Sequence, residues 1–203
     1  MVCLSDGDQS SHQEIIELSM QISRNYLEEW KGIKWEEDGE IEWVFDETIG
    51  LLIIKGKGPL EDYANGSKTC QMKDYDSISI KRSPWQKKYV NQIKSVVVLP
   101  GVSTIGNYAF YNCNTLKSVA ITDPVTSIGE WSFYDCKALT SIAIPRSVTS
   151  IGKKAFSSCE CLKSITLQNS IISIGSQAFS YSGLVSIKIL SSVVSFGGNP
   201  FSN

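Results

Sequence analysis

Histidine occurs once in the 203 residues, at His12, so the body of the chain has no histidine-based triad and no Cys–His nucleophile pair unless His12 reaches it. No Gly-x-x-x-x-Gly-Lys run offers a phosphate cradle. No stretch approaches the ~20 consecutive apolar residues of a membrane span. The opening residues, Met1 to Gln13, are polar and acidic rather than basic and then apolar, so they do not read as a signal peptide. The only Cys-x-Cys, Cys159 and Cys161, lacks a second pair and a nearby histidine, which leaves zinc without a ligand set. No basic stripe interleaved with aromatics appears, so nucleic acid is not an expected partner. These absences point to a chain with no catalytic residues, no cofactor, no metal and no membrane insertion.

What the chain does have is repetition. Ile105-Gly106, Ile128-Gly129, Ile151-Gly152, Ile174-Gly175 and Phe196-Gly197 recur at steps of 23, 23, 23 and 22, and Phe110, Phe133, Phe156, Phe179 and Phe201 keep the same step. A fixed period this short is the signature of a solenoid, whose units cannot bury their apolar faces alone and must stack. The expected core is the set of apolar positions that recur in each copy, as in Leu139, Ile142, Ile144, Val148, Ile151 and Phe156.

Within a copy, Val119-Ala120-Ile121 and its equivalents alternate large with small and are mostly β-branched, which predicts a short strand with one buried face. A second extended piece, Val125-Thr-Ser-Ile128, comes next. Gly129 then ends it, at a place that needs either positive φ or close approach of backbones. The run around Ala155-Phe156 has room for one or two helical or 3₁₀ turns. Stacked coils about 4.8 Å apart put like on like, so Cys113, Cys136 and Cys159 form one column, with Ser182 in the shortened fourth copy. Buried thiols are the simple expectation; a Cys113–Cys136 or Cys136–Cys159 bridge is the alternative in an oxidising compartment.

The pattern Leu139-Thr-Ser-Ile142-Ala-Ile144-Pro-Arg-Ser-Val148-Thr-Ser-Ile151-Gly152-Lys-Lys-Ala155-Phe156-Ser-Ser-Cys159 resembles the leucine-rich repeats of the BspA-like surface-antigen family. The flanking Trp43-Val-Phe45-Asp46, Gly50-Leu-Leu-Ile-Ile54 and Ser83-Pro-Trp85 resemble the segment that caps such repeats. The resemblance implies a right-handed leucine-rich-repeat solenoid of short parallel strands with helical or 3₁₀ turns, an N-terminal helix and a β-hairpin cap. It also implies a protein-binding or adhesion role toward a protein or host-cell-surface ligand, at the cell surface or secreted. Because the sequence shows no signal peptide, a cytoplasmic scaffold is the alternative.

Three regions are expected: a tail and amphipathic helix over 1–32, a cap and surface loop over 33–92, and the solenoid over 93–203. Ser11 and Glu14 make a capping-box pattern ahead of an apolar stripe at Ile15, Leu18, Ile22, Tyr26 and Trp30, which Gly32 terminates. Extended runs at 41–45 and 51–55 around a glycine-ended loop predict a hairpin covering the first coil's open edge. From Gly56 to Pro84 the composition reads as a surface excursion, and Asn65-Gly-Ser67 is a glycosylation sequon. Charge divides between the halves: residues 1–93 hold 11 Lys/Arg against 17 Asp/Glu, while 94–203 hold 8 against 4.

The candidate binding surface is the outward face of the repeated strand. Its residues are Ser118, Ala120 and Thr122; Ser141, Ala143 and Pro145; Ser164, Thr166 and Gln168; and Lys188, with Ser95, Val97, Leu99, Ser186 and Leu190 at the ends. Serine repeats in one column and the other two vary, as expected of a surface tuned on a constant scaffold. A final coil that stops at Asn203 without a polar closing cap adds a second expectation, self-association through that coil.

Overall fold

The structure, a computed structural model, describes residues 34–63 and 82–202. The expected amphipathic helix, the Asn65 sequon, Cys3 and Cys70 lie outside the described residues. Among these residues the strands are β1 (Glu36–Asp38), β2 (Ile41–Asp46), β3 (Leu51–Gly56), β4 (Gly58–Pro59), β5 (Ser95–Val98), β6 (Val102–Ile105), β7 (Ser118–Ile121), β8 (Ser127–Ile128), β9 (Ser141–Ala143), β10 (Ser150–Ile151), β11 (Ser173–Ile174) and β12 (Ser195–Phe196). The helix α1 (Pro84–Tyr89) precedes β5.

The first three repeats lay one strand into each of two sheets, because their two extended pieces stand on different sides of the coil, and the next two add a strand to the second sheet alone. The first sheet has the order β1-β2-β3-β5-β7-β9 and the second β4-β6-β8-β10-β11-β12. Pairing between successive coils is parallel and in repeat register, with Val96 beside Val119 and Val119 beside Ile142. The 23-residue step in sequence is therefore one rung in space.

Between the sheets runs a continuous apolar interior. Phe110, Phe133, Phe156, Phe179 and Phe201 stack down it, with centroids 5.1, 5.3, 5.5 and 5.7 Å apart. Cys113, Cys136 and Cys159 are free and buried beside this stack, and the Cys136 and Cys159 thiols donate to the carbonyls of Phe110 and Phe133. The bridges considered among these three are not formed. Cys161, in contrast, is disulfide-bonded.

The repeat glycine serves close approach rather than positive φ. A Cβ on Gly152 would lie 2.6 Å from the Glu130 nitrogen and the Gly129 carbonyl carbon of the preceding coil. After the glycine the chain makes a hydrogen-bonded turn rather than a run of helix. Left-handed residues recur four apart, Trp131 with Asp135 and Lys154 with Ser158, and alternate N–H groups bond to the next coil. Thus Tyr108, Phe110 and Asn112 donate to the carbonyls of Glu130, Ser132 and Tyr134. The N–H groups between them, of Ala109, Tyr111 and Cys113, close back on the carbonyls of Gly106, Tyr108 and Phe110, so only every second residue makes an i→i+3 bond and no continuous 3₁₀ run forms.

The N-terminal cap supplies a coil in abbreviated form. β3 pairs antiparallel with β2 as a hairpin and parallel with β5, which covers the edge of the first repeat strand. Beyond it, β4 pairs with β6, and the N–H groups of Leu60 and Tyr63 donate to the carbonyls of Thr104 and Asn107. Parallel stacking therefore begins at Leu51. The start of the region read as a surface excursion is core, since Leu60 and Tyr63 are fully buried.

The first coil's turn has no complete coil before it, so its carbonyls need other donors. Tyr63 N–H serves Asn107, Trp85 Nε1 and Ser83 Oγ serve Ala109, and Gln86 Nε2 serves Tyr111 at 2.7 Å. These are the equivalents of Glu130, Ser132 and Tyr134 one coil later. One backbone N–H and three side-chain donors of the cap thus stand where a preceding turn's N–H groups would be, which meets the requirement that buried carbonyls be paired. α1 is held in place for this by Ser83 and Gln86, a reciprocal capping box with Pro84 at the first helical position.

Candidate binding surface

Strand alternation sends Val96, Val98, Val119 and Ile142 into the core and places Ser95, Val97, Ser118, Ala120, Ser141 and Ala143 on the outward face. Register brings the expected columns together: Ser95 sits beside Ser118 and Ser118 beside Ser141, while Val97, Ala120 and Ala143 form the next row. The Ser95 and Ser118 hydroxyls are 3.0 Å apart, and Thr122 Oγ1 donates to the Val98 carbonyl at 2.8 Å. These hydroxyls partly satisfy the ladder itself, so Thr122 is committed to the scaffold.

The face changes character along the solenoid, which the repeat pattern alone did not reveal. Val97, Leu99 and Ala120 join Val44, Leu51 and Ile53 of the cap in a second apolar cluster, with Trp35 packed against it. Ala120 and Ala143 are 5% and 4% exposed, so neither is offered to a partner as the surface stands. Farther along, Ser164, Thr166 and Lys188 are exposed and Gln168 and Pro145 are half-buried. Residues 164–168 and 186–190 are not paired as strands. Leu190 packs against the core while its neighbour Ile189 is exposed, so the inward and outward positions are exchanged there relative to the earlier coils.

A second feature lies on the turn side of the coils and was missed in the sequence. Tyr108 stacks on Trp131 with planes 6° apart, Tyr111 stacks on Tyr134 at 5.3 Å, and Lys154 Nζ lies 4.4 Å from the centre of the Trp131 ring. Burial and the neighbouring Lys153 charge lower the Lys154 pKa. The signal was present in the 23-residue spacing of Tyr108, Trp131 and Lys154 and of Tyr111 and Tyr134.

The cysteine thiols are poor nucleophiles. Burial pushes Cys113 up to about 12 and raises Cys136 and Cys159 as well, which keeps all three protonated at neutral pH. Among the described residues no group of three or more His, Cys, Asp or Glu could hold a metal ion, and no helix is long and apolar enough to cross a membrane.

Residues 86–203 match the family model described as the BspA type leucine rich repeat region. Among solved structures, a leucine-rich repeat protein from Eubacterium ventriosum is similar at 27% identity and a TM-score of 0.65, over 81% of this chain and 39% of that one. A leucine-rich repeat protein from Bacteroides ovatus is similar at 32% identity and a TM-score of 0.51, over 55% of this chain and 29% of that one. The chain thus spans well under half the length of either structure. A comparison with curated proteins gives no significant match. On the match across more than half its length, and on the stacked coils just described, the chain belongs to the BspA-type leucine-rich-repeat family.

Proposed function

We propose that this chain is a non-enzymatic protein-binding module that acts in adhesion at a cell surface and grips its partner along the exposed stretch of the strand face. The observation that carries this is the polar, exposed set Ser164, Thr166 and Lys188, with Gln168 beside them, presented by successive coils beyond the point where the same face is apolar and buried. Solenoids present extended binding surfaces of this kind. With Lys188 as the one charge among these four, binding is expected to rest on shape and hydrogen bonding and to change little with salt.

Two measurements test the reading. Antibody against the native protein should label intact cells, and beads coated with the full chain should adhere to host-cell or matrix protein. Thr166→Arg and Lys188→Glu should each reduce that adhesion about tenfold with no change in Tm. Labelling only after permeabilisation would sink the surface role, and adhesion indifferent to both substitutions would sink the face.

A second reading, self-association, is favoured by two exposed apolar side chains, Val185 at 86% and Val194 at 78%, and sedimentation at rising concentration separates it from the first.

A further inference from the structure

We propose that Lys94, Lys117 and Lys163 form a docking row for a sulfated polysaccharide, which runs along the solenoid across the entry ends of the first-sheet strands. The three occupy one position of the repeat, immediately before the outward serine of the first, second and fourth coils, and all three are exposed. Their backbones are joined rung to rung. The Lys117 N–H donates to the Lys94 carbonyl at 2.8 Å and the Thr140 N–H to the Lys117 carbonyl at 2.9 Å, while the Val185 N–H donates to the Lys163 carbonyl at 3.3 Å. At the ~4.8 Å spacing of paired strands, the row sets its charges one rung apart and then two. The Lys94 stem passes over Gly50, where a Cβ would meet its Cγ and Cδ at 3.0 Å. Lys163 Nζ donates to the Glu160 carbonyl at 3.3 Å, which uses one of the three donors of its ammonium group.

Like charges stacked directly across a ladder repel, and among the described residues no carboxylate is paired with any of the three. Asp135 and Glu160, which precede the strand entries of the third and fourth coils, are engaged by Lys137 at 3.7 and 3.6 Å. Nor does the scaffold require lysine at this position, since Thr140 and Val185 fill it in the third and fifth coils. The free chain thus carries a linear repulsion that a linear polyanion removes. The groups beside the row select the polymer. Ser95, Ser118 and Ser164 follow the three lysines, and Thr140 fills the gap between them, so ammonium groups for sulfates lie among hydroxyls for sugar. Neither column holds an aromatic ring, so single-stranded nucleic acid finds no platform for its bases. Three cations in file also fall short of the cluster of about 4–8 that anionic membranes take. The row works by charge, whereas the stretch around Thr166 is expected to change little with salt, so the two surfaces are separable.

The test titrates the full chain into a fluorescently labelled heparin octasaccharide at about 50 to 200 mM sodium chloride. Release of counterions by three contacts should make affinity fall with a log–log slope of about −2. Lys117→Gln should weaken binding about fivefold at the lowest salt and reduce the slope by about 1. Combining it with Lys94→Gln and Lys163→Gln should abolish measurable binding with Tm unchanged, because all three side chains are exposed. Thr140→Lys closes the gap in the row and should tighten binding about fivefold, a gain that damage to the fold does not produce. Arg146→Gln, exposed beyond the far end of β9, should change nothing. Absence of binding, binding without salt dependence, or binding retained by the triple variant would overturn the proposal. So would tighter binding of single-stranded oligothymidylate or of phosphatidylserine vesicles at the same salt, which would assign the row to nucleic acid or to a membrane.

Discussion

Phe133 and Phe156 stack in the core with their centroids 5.3 Å apart and their planes 2° from parallel. Their backbones are joined too, since the Phe133 N–H donates to the Ala155 carbonyl. A coil in this chain is therefore held by its neighbours on both sides, through ring contact and through hydrogen bonds. Phe156→Ala removes a fully buried ring from the middle of the stack and should cost about 3–5 kcal/mol in urea unfolding. Phe201, at the end of the stack and half-buried, should cost clearly less when truncated.

Glycine at the coil junction is a second place where neighbours constrain each other. A methyl on Gly152 meets backbone at 2.6 Å, and backbone cannot swing aside as a side chain can, so Gly152→Ala should destabilise by about 1–3 kcal/mol. Gly39 has open space around its Cβ position but φ of +68°, and Gly39→Ala should cost only about 1 kcal/mol, from backbone strain alone. Thermal unfolding of the two variants should rank them in that order.

The core columns were legible because repetition marks them: Ile105, Ile128, Ile151 and Ile174 are each buried where the period puts them. The same logic hid the cap. Leu60 and Tyr63 belong to an abbreviated coil that is out of phase with the 23-residue step, so they look like loop residues. The Ser83-to-Gln86 capping box was readable as a local pattern, but its role in serving the Ala109 and Tyr111 carbonyls depends on chain brought together from a distance. The outward face was misjudged for a related reason. Alternation says that Val97 and Ala120 point out of the core, but not that a second apolar cluster gathers there.

Burial of the cysteine column makes stability depend on alkaline pH. The Cys113 thiol, near 9.0 when unfolded, is pushed up to about 12 in the folded chain, so the folded state holds its proton more tightly. Its contribution is complete below pH 9 and is lost as pH rises toward 12. Cys136 and Cys159 shift in the same direction and steepen the loss. The urea midpoint should therefore be flat from neutral pH to about 9 and fall above it. Replacing all three with alanine should flatten that fall, whatever it does to stability at pH 7.

The two faces of the ladder should respond differently to substitution. Ile151 is 2% exposed on β10, and Ile151→Asp buries a carboxylate without a partner at a cost of several kcal/mol. Thr166 is exposed, and Thr166→Ala should change stability by no more than about 0.5 kcal/mol. If Thr166→Ala proved the more destabilising of the two, the inward and outward assignments along the coil would be inverted.

The cap's side-chain donors give the last prediction. Gln86 is 3% exposed, and its Nε2 is the donor to the Tyr111 carbonyl at 2.7 Å, while its Oε1 accepts from the Ser83 N–H at 2.9 Å. Gln86→Leu keeps the volume and removes both bonds, so a carbonyl that every later coil satisfies through backbone is left without its donor. The expected cost is about 1–3 kcal/mol. Gln86→Glu keeps an acceptor for the α1 cap but loses the donor and sets a buried carboxylate oxygen against the Tyr111 carbonyl, so it should be at least as destabilising as the leucine variant. Lys87→Leu, one residue on and exposed, should be nearly neutral. Because the first coil leans on this cap, hydrogen exchange in Gln86→Leu should quicken at the amides of Phe110 and Asn112 before it does at those of Phe156 and Ser158.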